Sequence, residues 1–161
     1  MTTRRIDWQR LRTLGLLSGD EVPRSVLQAC HEERLTGGLS LSLRATADEV
    51  VVWLANAMGG RAKSVRLLDV RTSPAVMEVR LTSADGAVVE EQWPLAGLEA
   101  LISRLNDEFA EDEGVRLLAV LGEFEGMLQV WALRPDVLEL LLDTGVLEGA
   151  RNEAWLRDLF G

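Results

Sequence analysis

The stretch from about Val76 to Phe109 changes its hydrophobic period once, and that change limits the possible folds more than any other feature. Met77, Val79 and Leu81 alternate with Glu78 and Arg80, a period of two that sends the apolar side chains to one face of a strand. Asp85-Gly86 follows, a dipeptide suited to a tight hairpin, and Val88 to Trp93 is the return strand. Pro94 then ends the strand. Leu98, Leu101, Ile102, Leu105 and Phe109 fall at helical spacing, while Glu99, Arg104, Asp107 and Glu108 lie off the stripe. A sheet with one wet face, followed by a helix with one dry stripe, has to bury the stripe against the sheet. The sequence therefore predicts an α+β fold with an antiparallel sheet.

The same signals extend in both directions. Asp7 is placed to cap a helix carrying Trp8, Leu11, Leu14 and Leu17, which Ser18-Gly19-Asp20 breaks. Pro23 opens a second helix with Val26, Leu27 and Cys30 on one face and Leu35 at its end, stopped by Gly37-Gly38. Leu39, Leu41 and Leu43 alternate with polar residues as a short strand. Thr46 to Met58 reads two ways. Thr46 with Glu49 makes a capping box and Gly59-Gly60 a stop, which favours a helix; Val50-Val51-Val52-Trp53 favours a strand. The helix is the reading taken, with Val50, Trp53, Leu54, Ala57 and Met58 on one face. A strand from about Val65 to Arg71 leads into a turn at Thr72-Ser73-Pro74. Beyond Gly114, strands from Val115 to Leu121 and Met127 to Leu133 flank a loop from Gly122 to Gly126. Pro135 opens a helix through Asp143 that is apolar over more than half its surface, so Leu138 and Leu141 are expected in the core or a dimer contact. A last helix, Ala150 to Phe160, gathers Trp155, Leu156, Leu159 and Phe160. The candidate linker Gly145 to Gly149 is too short to separate domains. The expectation is one α+β domain over residues 1–161: an antiparallel sheet of about five strands covered by helices, a helical segment 1–36 packed on it, and C-terminal helices.

Composition removes several chemistries. Cys30 is the single cysteine and His31 the single histidine of 161 residues, so an internal disulfide, a cysteine-rich zinc site and a multi-histidine metal site are excluded. No apolar run approaches the roughly 20 residues of a membrane helix. Met1-Thr2-Thr3-Arg4-Arg5 leads into Ile6-Asp7-Trp8 and not into an apolar leader, so the expected location is cytoplasmic. Lys63 is the only lysine and tyrosine is absent, as a GC-rich bacterial genome would produce. The net charge is −9 and unevenly spread: residues 1–45 hold seven arginines and five acids, a net of +2, and the rest carries −11. Such a body repels phosphate backbones and anionic membranes and suits a basic partner; neither nucleic acid nor a membrane is expected as a partner.

The residues that could carry chemistry have plain structural explanations beside them. Cys30-His31 pairs a thiol with an imidazole, but adjacent helical residues point about 100° apart, and Cys30 falls on the apolar stripe, where cysteine is usually an inert hydrophobe. Gly59-Gly60-Arg61-Ala62-Lys63-Ser64 ends like a phosphate loop, yet Ala62 replaces the glycine before the lysine and no strand-to-helix turn is expected. Carboxylates cluster at Glu90-Glu91, along Asp107 to Glu113, and at Glu123 with Glu125. General acid–base work or a hard cation would need them to converge, whereas a charge run at a helix end is usually just solvated. Arg4, Arg5, Arg10 and Arg12 with two short helices suggest a helix-turn-helix, but Glu32 and Glu33 sit on the would-be recognition helix and the connection is too long. No catalytic residue, metal ligand or cofactor is assigned. Of the five tryptophans, Trp8 and Trp155 lie on terminal helices and are the ones expected to reach a surface.

From Thr46 to Asp143 the order helix, three strands, helix, two strands, helix resembles the small acidic chaperones of type III secretion. The likeness lies in element order and acidity over about two-thirds of the chain, with two extra helices in front. It implies a homodimer that holds an unfolded segment of another protein. Leu27-Gln28-Ala29-Cys30-His31-Glu32-Glu33-Arg34-Leu35-Thr36-Gly37-Gly38-Leu39-Ser40-Leu41 is similar to the opening of PATAN-type domains of bacterial regulators, which implies a strand at Val50 to Leu54 and ends near Gly60. The expected function is a non-enzymatic protein-binding module, homodimeric and like a secretion chaperone, that buries an apolar or basic segment through Trp155, Leu156, Leu159, Phe160 and Trp8. The alternatives are an immunity or regulatory protein that blocks a basic partner, and a carboxylate-dependent, metal-assisted enzyme built on Glu123 and Glu125.

Overall fold

A computed structural model describes residues 6–72, 75–82, 85–94 and 97–161. In chain order the elements are α1 (Trp8–Thr13), α2 (Val26–His31), β1 (Gly38–Ser42), α3 (Ala47–Met58), a 3-10 segment at Gly60–Ser64, β2 (Arg66–Thr72), β3 (Ala75–Thr82), β4 (Val88–Pro94), α4 (Leu98–Phe109), β5 (Leu117–Phe124), β6 (Met127–Leu133), α5 (Pro135–Asp143) and α6 (Glu153–Leu159). Of the expected turn at Thr72-Ser73-Pro74, the last two residues lie outside the described residues.

The six strands make two three-stranded sheets, ordered β1-β6-β5 and β2-β3-β4. This corrects the single sheet of about five strands. β1 runs antiparallel to β6, Gly38 opposite Trp131 through Ser42 opposite Met127, and so joins the last hairpin of the chain. Among the described residues, the meander β2-β3-β4 pairs only within itself. An alternating pattern specifies which face a strand buries, and says nothing of which strand lies beside it.

The chain divides into two compact units, Met1–Leu43 with Leu118–Gly161, and Arg44–Leu117. In the first, α2 packs on β1 and β6. Both N-terminal helices are shorter than expected, at six residues each. Asp7 caps α1 as its sequence suggests, accepting from Arg10 N at 3.1 Å; Ser25, not Pro23, caps α2. The loop between them is organised by two arginines. Arg12 donates to the carbonyls of Gly19, Asp20 and Glu21, and Arg34 to those of Ser18 and Glu21. Gly37 has to be glycine: its φ is +87°, and a Cβ there would stand 2.5 Å from the Ala132 carbonyl oxygen. Trp131 is buried and donates its indole N–H to Thr36 O at 2.9 Å. β5 extends to Phe124, so the loop expected from Gly122 shrinks to Glu125-Gly126. Both have positive φ, 53° and 75°, as a two-residue type I′ hairpin requires.

β5 is an edge strand, and Arg151-Asn152 closes part of that edge. Asn152 Oδ1 accepts from Val120 N at 2.8 Å and its Nδ2 donates to Leu118 O at 2.9 Å, while Arg151 N donates to Val120 O at 2.8 Å. Asn152 stands at the N-cap of α6, but its side chain makes no capping bond there. The amide serves the strand and stands in for a fourth one.

In the second unit, Met77, Val79, Leu81 and Trp93 are buried on one face of the meander, while Arg80, Glu90 and Gln92 are exposed on the other. α4 buries Leu101, Ile102, Leu105 and Phe109, the stripe read from the sequence. Glu91 Oε2 accepts from Trp93 Nε1 at 3.0 Å and lies 3.3 Å from Arg104 Nη2, and the Arg104 guanidinium sits 5.4 Å from the Trp93 ring centre. Burial, with Glu91 nearby, pushes the Glu108 carboxyl above its usual range. Residues 46–58 are a helix with the expected capping box, Thr46 N donating to Glu49 Oε2. The strand implied at Val50 to Leu54 by the PATAN-type resemblance is therefore overturned. The helix is turned from its expected face: Val50, Val51, Leu54, Ala55 and Met58 are buried, and Trp53 is 46% exposed.

Candidate functional site

The residues expected to bind a partner fall in the first unit. Trp8 on α1 is half-buried, as are Trp155 and Leu159 on α6 and Phe160 just beyond it. Leu156 is fully buried, and Leu138 and Leu141 on α5 are 0% and 1% exposed within the chain. These three leucines are core residues. α6 turns Leu156 inward, and on its flank Arg157 pairs with Glu153 at 2.7 Å one turn earlier. That pairing holds the Glu153 carboxyl below its usual range.

The same unit carries an open groove of about 400 Å³. The start of α2 supplies Ser25, Val26 and Leu27; β5 supplies Leu121; the segment Gly145 to Ala150 supplies Val146 and Leu147; Ile6 completes the apolar lining. Arg24 and Glu148, both exposed, are its charged members. Gly122 sits below Leu27, with room at ordinary contact distance between them. Pro23 and the N-cap at Ser25 explain why Val26 and Leu27 present themselves here: the helix starts at the groove, so its first turn has no earlier turn to cover it. A smaller pocket of about 70 Å³ lies under Leu11, Leu14, Leu140 and Leu141 and shares Val146.

The second unit has a wider cleft of about 510 Å³, bordered by Gly60, Arg61, Ser64, Thr82 and the run Glu111-Asp112-Glu113. Arg61 Nε lies 2.8 Å from Asp112 Oδ2, and its guanidinium sits 5.3 Å from the Phe109 ring centre. Asp112 is thus neutralised. Glu111 and Glu113 are exposed and make no ion pair with a described residue.

Sequence reasoning missed an exposed apolar pair. Val52 and Trp53 on α3 are 44% and 46% exposed. The signal was present: consecutive apolar residues at 100° intervals cannot all face one side, so two of Val50 to Leu54 had to face outward. Val88 and Val89, at the start of the edge strand β4, are likewise more than half exposed.

Groups able to do chemistry are held apart or already engaged. Cys30 is buried, and that burial pushes its thiol up to about 11, so it stays protonated at neutral pH. His31 Nδ1 lies 3.1 Å from Ser40 Oγ, and Gln129 Nε2 reaches both Ser40 Oγ at 2.9 Å and the carbonyls of Phe124 and Met127. This network, with the His31 ring 5.4 Å from that of Phe124, ties α2 to β1 and the last hairpin. Glu123 lies 3.5 Å from Arg151, and Glu125 occupies the hairpin turn. Among the described residues no three histidine, cysteine or carboxylate side chains gather as a metal site. Lys63-Ser64 belongs to a 3-10 segment that follows a helix, where a phosphate loop would follow a strand. No helix among the described residues is long and apolar enough to cross a membrane.

Comparison with protein-family models, with curated proteins and with solved structures gives no match for this chain.

Proposed function

We propose that the chain is a non-enzymatic, acidic protein-binding module of the cytoplasm, an adaptor in the manner of a secretion chaperone, that holds an apolar segment of another protein flanked by basic residues. The observation that supports this reading is the open groove of the first unit, whose lining is mostly apolar and whose volume of about 400 Å³ falls within the range of ligand sites. The chain's charge of −9 selects for basic flanks and against acidic ones. A synthetic peptide panel tests the reading, crossing an apolar or polar centre with basic, neutral or acidic flanks. Apolar peptides with basic flanks should bind best, and Leu27→Asp, at a half-buried position in the groove lining, should weaken them at least tenfold in a variant that still unfolds cooperatively. Equal binding to Leu27→Asp, or no preference among the peptide classes, would count against it.

A second reading has its own observation. Glu111 and Glu113 are exposed beside the wide cleft of the second unit and make no ion pair with a described residue, as an immunity or regulatory protein covering a basic partner surface would need. In that case Glu111→Gln with Glu113→Gln abolishes association with a basic protein partner, and Leu27→Asp does not touch it.

A further inference from the structure

The exposed face of α3 has three zones. Asp48 and Glu49 are exposed at its N-terminal end and Val52, Trp53 and Asn56 along its middle; the buried C-cap Gly59 follows Val52 by about two turns, which keeps it on that side. Arg116 Nη1 and Lys63 Cε lie 3.7 and 3.8 Å from where a Cβ on Gly59 would stand, so two exposed cations flank that end. Neither makes an ion pair with a described residue. The Thr46 side chain holds the Asp48 carboxyl below its usual range, so the first zone is anionic at neutral pH. The face runs negative, apolar, positive. Its midpoint falls between Val52 and Trp53, the sixth and seventh of twelve residues.

We infer that this face is where two copies of the chain meet, α3 packing antiparallel against α3 about a two-fold axis that passes between Val52 and Trp53. A two-fold axis perpendicular to the helix sets each acidic end on the partner's basic end and puts the two tryptophans together at the centre. A parallel arrangement would oppose like charges. A basic peptide from another protein would satisfy Asp48 and Glu49 but would leave Lys63 and Arg116 facing cations. A second copy satisfies both ends, which is why it is the occupant proposed. The helix is about 18 Å long, and one such pair covers only part of the roughly 1,200–2,000 Å² of a stable interface, so the dimer is weak and concentration-dependent. This inference does not rest on the groove of the first unit.

Sedimentation velocity on the full chain tests it. The parent should pass from monomer to dimer as its concentration rises through the micromolar range, and Trp53→Ser should raise the dissociation constant at least tenfold. Two further variants carry the charge test. The first combines Asp48→Lys with Glu49→Gln, which keeps the capping box; the second combines Lys63→Glu with Arg116→Glu. Each alone opposes like charges and should be monomeric. Mixed, they oppose unlike charges at both ends and should form a heterodimer. The inference is overturned if the parent stays monomeric up to about 1 mM, if Trp53→Ser leaves a dimer intact, or if the mixture of folded variants fails to regain one. Trp53→Ser, at an exposed position, keeps the test decisive should a charge variant fail to fold. A peptide that binds the groove in the assay above gives no signal here, so the two proposals fail separately.

Discussion

Asn152→Ala should open the edge of β5 and destabilise the first unit by about 2–3 kcal/mol. The side-chain amide makes two bonds to the strand, at 2.8 Å to Val120 N and 2.9 Å to Leu118 O. Val120 is 2% exposed, so water cannot replace the lost acceptor, and an unsatisfied buried N–H costs about 1–3 kcal/mol. The Leu118 carbonyl adds less, about 0.5–1.5 kcal/mol, the net worth of an ordinary hydrogen bond. No capping energy is lost with it, because the side chain does not cap α6. Hydrogen exchange reads the effect locally: a loss of 2 kcal/mol is a factor of about 30 in opening, so the Val120 amide should exchange some 30-fold faster or more. In urea, at about 2 kcal/mol per M, the midpoint of the first unit should fall by about 1 M with its slope unchanged. Asn152→Asp discriminates further, since it retains the acceptor for Val120 N–H but sets a carboxylate oxygen against the Leu118 carbonyl. If Val120 protection and the urea midpoint both survive Asn152→Ala, the edge is not held by this side chain and the reasoning fails.

Gly37→Ala places a methyl 2.5 Å from the Ala132 carbonyl oxygen at a φ of +87° and should cost more than about 3 kcal/mol, whereas Gly126→Ala, at +75° with nothing within 4 Å, should cost only about 1–2 kcal/mol; paired thermal melts compare them. Cys30 should be inert to a thiol reagent at pH 8 in the folded chain and react only as fast as the protein opens. Its thiol is raised to about 11 in the folded state, so the contribution of the buried neutral form to stability is complete below the ordinary thiol value of 9.0 and is lost as pH rises through 11. Reaction at the rate of a free thiol, or a stability flat between pH 8 and 11, would contradict this.

Local instructions were legible in the sequence wherever one chain segment sufficed to carry them out. The caps at Asp7 and Thr46, the alternation of Met77, Val79 and Leu81, the stripe of α4 and the strand stop at Pro94 each act within a turn or a strand, and each is realised, whereas α4 ends at Phe109 with its C-cap at Ala110, before the Gly114 expected to close it. What the sequence could not supply is partnership across distance. Gly38 pairs with Trp131, and nothing in either residue's neighbourhood specifies that match; so the strands expected in one sheet formed two. The rotation of α3 was decided the same way. Val50 to Leu54 are all apolar, and only packing against its neighbours chose Val51 over Trp53 for the interior. Asn152, which carries no signal in the sequence, stands at the N-cap of α6 and becomes the closure of a strand, because the N–H of Val120 lies beside it only after folding. Periodicity and capping are short-range and survive in one dimension. Strand neighbours, helix rotation and edge closure depend on which surfaces meet, and folding alone brings those together.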